Sequence, residues 1–163
     1  MAKEVKHGGG NIMVWGCILG AGYGELHLVD GIMDNEQYVN ILQESLLGPF
    51  KTLGLKKSNT IFQQDNDMKH TSKLASEWFA HRHIKVLPWP SNSLDMNPME
   101  HVWAYLQTHV QQCHTLPTTK ASLWNMICEE WAKMDDGLLA WLYAGMPACI
   151  VALGVAKGWY TSY

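Results

Sequence analysis

"TIFQQDNDMKHTS", residues 60–72, sets a short apolar run directly against two aspartates and a Lys-His pair. Thr60, Ile61 and Phe62 favour extended backbone, so "NTIFQQ" is predicted as a short strand that ends at Asp65. "TSKLASEWFAHR" follows with Leu74, Ala75, Trp78 and Phe79 at helical spacing, and "IKVLPW" is a second short strand that Pro88 ends. A strand, a helix and a strand in that order imply a parallel pair. Asp65 then stands at a carboxyl edge, where ligands gather in α/β sheets.

Upstream, "GGGNIMVWGCIL" and "GELHLVDG" read as two strands of a hairpin split by the turn-rich "GAGYG". "DNEQYVNILQESLLGPF" is an amphipathic helix: Asp34 can cap it, Gln37 can bond back, and Tyr38, Ile41, Leu42 and Leu46 share one face. Gly48 and Pro49 are expected to stop it. Downstream, Asn97 caps and Pro98 opens "NPMEHVWAYLQTHV", with Val102, Trp103, Leu106 and Val110 inward. A last amphipathic helix runs through Leu123, Ile127, Trp131 and Met134. The fold class expected is α/β, in the order ββαβαβα followed by more helix.

The 163 residues are 47% hydrophobic and 17% charged, which suits a single domain with a real core. A net charge of -3 gives the whole molecule no attraction for nucleic acid or anionic membranes, so any DNA contact must be local. Cys17, Cys113, Cys128 and Cys149 have no metal or redox spacing and read as buried thiols in a reducing compartment. "MAKEVKHGGG" lacks the apolar segment of a secretory signal, which points to the cytosol or nucleus. Residues 137–156 carry no charge. Pro147 and three glycines in that stretch favour two short buried helices meeting at Gly145 over a membrane span.

Asp65 and Glu100 are separated by 34 residues (66–99) and fall at a strand end and in the first turn of a helix. Two carboxylates brought together from separate elements repel unless a divalent cation neutralises them, and hard oxygen ligands suit magnesium or manganese. Each acid also has a plainer role. Asp65 can turn the chain after its strand, and Glu100 occupies the position a capping box uses. Lys69 and His70 read as solvated residues at a helix entry, and His101 as a surface neighbour of Glu100. Spacing alone leaves both readings open.

"VKHGGGNIMVWGC", "FQQDNDMKHTSK", "LPWPSNSLDMNPMEHVW" and the closing "AKGWYTSY" together resemble the catalytic domain of Tc1/mariner transposases, in particular the Tc1 branch. The match runs over nearly the whole chain, with the motifs in order and the 34-residue gap of that branch. The resemblance implies an RNase H-like mixed sheet with flanking helices. It also implies a triad of two aspartates and a glutamate holding two Mg2+ or Mn2+ ions, with Asp65 matching the second acid and Glu100 the third. The implied chemistry is phosphoryl transfer on DNA, at transposon ends and then at a target, in the nucleus.

The chain departs from that pattern in three respects. The first aspartate belongs on a central strand upstream of "VKHGGG" and has no counterpart here, since Glu4, Glu25, Asp30 and Asp34 stand in no matching motif. The N-terminal helix-turn-helix modules that bind transposon ends are likewise not in the sequence. Met68 and Leu94 replace family prolines, and neutral residues stand where the family has Lys and Arg, which removes phosphate contacts. The expectation is a single, N-terminally truncated catalytic domain, inactive as this chain, whose open sheet edges favour self-association. The alternatives are a repurposed protein- or nucleic-acid-binding module and a membrane-anchored fragment.

Overall fold

The computed structural model describes residues 2–7, 10–90 and 96–155. Leu94 and "AKGWYTSY" lie outside the described residues. Contacts divide the chain into two compact units: residues up to Pro90 form the first and residues from Met96 the second, with His7 and Gly10 grouping with the second.

The first unit opens with β1 (Ala2–His7) and β2 (Gly10–Trp15). A two-rung hairpin of β3 (Ile18–Leu19) and β4 (Gly22–Tyr23) precedes β5 (His27–Val29). β2 and β5 pair antiparallel with Met13 opposite Val29 and Trp15 opposite His27, as the hairpin reading expects. The sheet order is β1-β2-β5, so β1 takes the edge of β2 opposite β5. β6 (Ile61–Phe62) and β7 (Lys85–Val86) form the expected parallel pair, with Ile61 opposite Lys85. Among the described residues no ladder joins this pair to the β1-β2-β5 sheet.

Helix α1 (Asn35–Ile41) is capped by Asp34, whose carboxylate accepts the Gln37 N–H at 2.8 Å. The helix does not stop at Gly48 and Pro49. It passes through a π-helical turn (Leu42–Leu46) into α2 (Leu47–Thr52). A proline ring collides with the carbonyl four residues back, and a wider turn just ahead of Pro49 shifts the hydrogen bonding away from that carbonyl. Tyr38, Ile41, Leu42 and Leu46 are all buried, as their spacing predicts. They pack with Trp15, Val29, Phe50, Phe79 and Ile84 in one core, where each large apolar side chain contributes about 1.5–3 kcal/mol. Ser72 caps α3 (Lys73–His81), which buries Ala75 and Phe79 but leaves Leu74 exposed.

In the second unit Asn97 caps α4 (Pro98–Gln112), and Thr119 and Ser122 form a reciprocal capping box on α5 (Lys120–Lys133). The inward residues predicted for both helices are buried, and the Trp103 and Trp131 rings lie 6.2 Å apart. Residues 137–156 correct the sequence reading. Instead of two buried helices there is one, α6 (Asp136–Val155), running through Pro147. It buries Leu139 and Leu142 but leaves Trp141 64% exposed, with Ile150, Val151 and Val155 also exposed. Among the described residues no helix is long and apolar enough to cross a membrane.

Candidate active site

Asp65 is the third residue after β6, at the carboxyl end of the parallel pair. The pairing continues past the strands: Leu87 N–H donates to Phe62 O at 2.8 Å, and the Asn66 side chain donates to Trp89 O at 2.8 Å. These bonds tie the loop carrying Asp65 to the segment after β7.

The carboxylate is tied in turn to its own loop. Asp67 N–H donates to Asp65 Oδ1 at 3.1 Å, which makes an Asx-turn, and His70 Nδ1 bonds the same oxygen. Because a carboxylate only accepts, Nδ1 carries the proton of that bond. Both contacts fall on Oδ1, so Oδ2 takes no hydrogen bond from the described residues. Burial raises the Asp65 carboxyl, but the His70 bond and charge together with the Asp67 N–H outweigh it and hold the group below the ordinary range. Asp65 is therefore ionised at neutral pH.

His70 is not the solvated residue the sequence suggested. It is 4% exposed, its ring lies 4.3 Å from that of Tyr38, and its Nε2 is buried with no hydrogen-bond partner among the described residues. Its backbone carbonyl accepts Gln64 Nε2 at 2.9 Å, and Gln64 Oε1 accepts the Tyr38 hydroxyl at 2.5 Å. A buried chain thus runs from α1 through Gln64 and His70 to Asp65. The signal for His70 was faint: no apolar period marks it, and only the D-N-D turn ahead of it hinted that its side chain folds back. Lys69 is half-buried on Asp67 Oδ2 at 2.7 Å.

Asp65 and His70 line a cavity of about 420 Å³ whose apolar wall includes Phe79, Leu87 and Trp89. Glu100 belongs to the second unit, at the third position of α4, half-buried, with its N–H on Asn97 O at 2.9 Å. His101, beside it, meets Trp141 edge-on at 6.0 Å. Among the described residues no three His, Cys, Asp or Glu side chains come together as a ready metal cage. Asp65 itself fits a hard cation: an ionised carboxylate with one oxygen anchored and the other unclaimed by the described residues, in a side chain that lines an open cavity.

Fold and site place the chain in a known class. The chain belongs to the DDE superfamily endonucleases, whose family model matches residues 3–123. It is 37% identical over 161 residues to the transposable element Tcb2 transposase of Caenorhabditis briggsae, covering 99% of this chain and 58% of that protein. It is 36% identical over 159 residues to the Tc1 transposase of Caenorhabditis elegans, covering 98% and 57%. The chain thus spans somewhat over half the length of these relatives. Among solved structures, the Mos1 transposase catalytic domain with raltegravir and magnesium superposes at a TM-score of 0.88 and 18% identity, over 99% of this chain and 83% of that one. A Mos1 paired-end complex with the left transposon end matches at 0.81 and 18% identity, over 92% and 44%. That likeness makes the fold RNase H-like, and the relatives make the chain a Tc1/mariner transposase catalytic domain.

Proposed function

We propose that this domain serves DNA transposition in the nucleus, as the part of a transposase that carries phosphoryl transfer. Asp65 and Glu100 are two of its metal-holding acids. In the reaction, the oxygen of water bonds to a phosphorus at the transposon end and a strand with a free 3′-hydroxyl departs. That hydroxyl oxygen then bonds to a target phosphorus and the target's own 3′-oxygen leaves. Divalent Mg2+ or Mn2+, when bound, would activate the attacking oxygen and stabilise the leaving one. The chain's part is to aim carboxylate oxygens and exclude loose geometry. The observation that carries the reading is Asp65: ionised, anchored through one oxygen, and set at the end of a parallel strand beside an open cavity. Mos1, of the same fold, has been solved with magnesium, with manganese and with transposon-end DNA. With a net charge of -3, DNA contact would be confined to the neighbourhood of this site.

Iron-directed backbone cleavage tests each of the two acids. Fe2+ substituted for Mg2+, with ascorbate and peroxide, should cut the chain near residue 65 and near residue 100, and excess Mg2+ should suppress both cuts. Asp65→Ala should remove the cut near residue 65, and Glu100→Ala the cut near residue 100. No cutting near one of these positions would refute the metal-holding role of its acid.

A further inference from the structure

We propose that His70 is a positioning residue for Asp65: its Nδ1–H holds Oδ1 and so presents Oδ2 to a divalent cation in the adjoining cavity. The inference rests on the metal-dependent reading above and names a residue for it.

The argument begins with what burial of this ring costs. A core position would be filled more cheaply by an apolar side chain, because a buried polar atom left without a partner is destabilising. Nε2 has no such partner among the described residues. The residue is nevertheless held at its ring and at its backbone. The Tyr38 ring lies tilted against the imidazole with centroids 4.3 Å apart, Gln64 Nε2 donates to the His70 backbone carbonyl at 2.9 Å, and the His70 backbone N–H donates to Asp67 O at 2.9 Å. What this restraint fixes is the direction of Nδ1, and Nδ1 points at the carboxylate. Asp67 N–H reaches the same oxygen from the other side of the turn. Two donors on Oδ1 restrict the rotation of the carboxylate, and Asp65 lines the cavity. Hydrogen bonds of this kind to metal-ligating carboxylates characteristically set metal affinity, with losses of about 10–100-fold when the partner is removed.

The test is Mn2+ binding to the full chain, read by the electron paramagnetic resonance signal of free Mn2+, with urea unfolding in metal-free buffer as the folding control. His70→Leu removes the donor, and His70→Gln moves its amide too far along the side chain. Both should weaken Mn2+ at least tenfold. His70→Asn places an amide N–H close to the position of Nδ1 and should bind within about threefold of the unaltered chain. If His70→Leu does not fold, the contrast between the Gln and Asn variants carries the result. Folded Leu or Gln variants with unchanged affinity, alongside a loss in Asp65→Asn, would overturn the role of His70 and leave the metal site standing. A folded Asn variant as weak as the Gln variant would overturn it too. Unchanged affinity in Asp65→Asn would remove the metal reading and this proposal together.

Discussion

The buried chain from Tyr38 to Asp65 makes a quantitative prediction for Tyr38→Phe. Tyr38 is 1% exposed, and its hydroxyl donates to Gln64 Oε1 at 2.5 Å. Phenylalanine keeps the ring, its stacking on His70 and nearly all of its volume, so no cavity term of consequence arises. What is lost is the donor, and Gln64 Oε1 is left inside the protein without one. Leaving a buried acceptor unsatisfied costs about 1–3 kcal/mol. At about 2–4 °C per kcal/mol for a chain of this size, a loss of about 2 kcal/mol lowers Tm by about 4–8 °C. Urea unfolding followed by tryptophan fluorescence and far-UV circular dichroism measures it. Gln64→Leu completes a double-mutant cycle, which should return a coupling of about 1 kcal/mol or more, since both partners belong to one network. A Tyr38→Phe midpoint equal to that of the unaltered chain, or strictly additive losses, would refute the network.

Three other predictions concern turns and thiols. His83 occupies the left-handed region at φ 57° and ends α3 with paired bonds, its N–H to Ala80 O and the Ile84 N–H to Phe79 O; Gly54, at φ 64°, ends α2 the same way. His83→Gly should therefore raise stability by about 0.5–1 kcal/mol, the relieved strain less the added freedom of the unfolded chain, and an unchanged or lower denaturation midpoint would contradict this. A Cβ added at Gly24 would stand 2.3 Å from Cys17 Sγ and 3.0 Å from Cys17 O, so Gly24→Ala should cost about 1–3 kcal/mol in a thermal melt. Burial pushes the Cys17 thiol up to about 12. An unfolded thiol ionises near 8.5, so the stability linked to Cys17 is whole below about pH 8.5 and falls by up to about 1.4 kcal/mol per pH unit above it. Tyr38, raised by burial and then by the charges of Asp65, Cys17 and Asp67, adds loss in the same direction at higher pH. Unfolding midpoints that hold steady from pH 8.5 to 10.5 would be inconsistent with that linkage.

Elements whose cause is local could be read from the sequence. Asp34 and Asn97 cap where their side chains suggested, and the apolar faces of α1, α4 and α5 are buried as spaced. The parallel β6-β7 pair followed from strand, helix and strand. Helix ends at proline were less legible, because the stop signal competes with terms a residue count does not weigh. Around Pro147 stand Leu138, Leu139, Ala140, Leu142, Ala144, Met146 and Ala148, whose summed helix preference, with Leu139 and Leu142 anchored in the second unit, offsets the local cost of the ring. Before Pro49 the π turn performs a similar rescue by geometry. Leu74 shows the opposite case: its spacing fits the inner face of α3, yet that face is already filled by Ala75 and Phe79.

The site shows a different limit. From sequence, Asp65 could either turn the chain or hold metal, and the two roles were in competition. The folded loop removes the competition by dividing the carboxylate. The turn uses Oδ1, through the Asp67 N–H, while Oδ2 takes no hydrogen bond from the described residues. On the proposed reading the plainer role is then the means of the other, since the Asx-turn and His70 together fix the carboxylate. His70 could not be assigned to this from "DNDMKHT" alone. Its burial depends on the Tyr38 ring, carried by a helix that precedes the strand, and on Gln64 reaching back to its carbonyl. The residue types proposed for the site could be picked out because chemistry restricts them. Their aim could not, because aim is set by side chains that only the tertiary fold brings together. The two parts separate under substitution: Asp65→Asn changes the ligand and His70→Leu its aim, so both should weaken metal, but only the second should be repaired by a side chain, asparagine, that restores nothing except a donor in place.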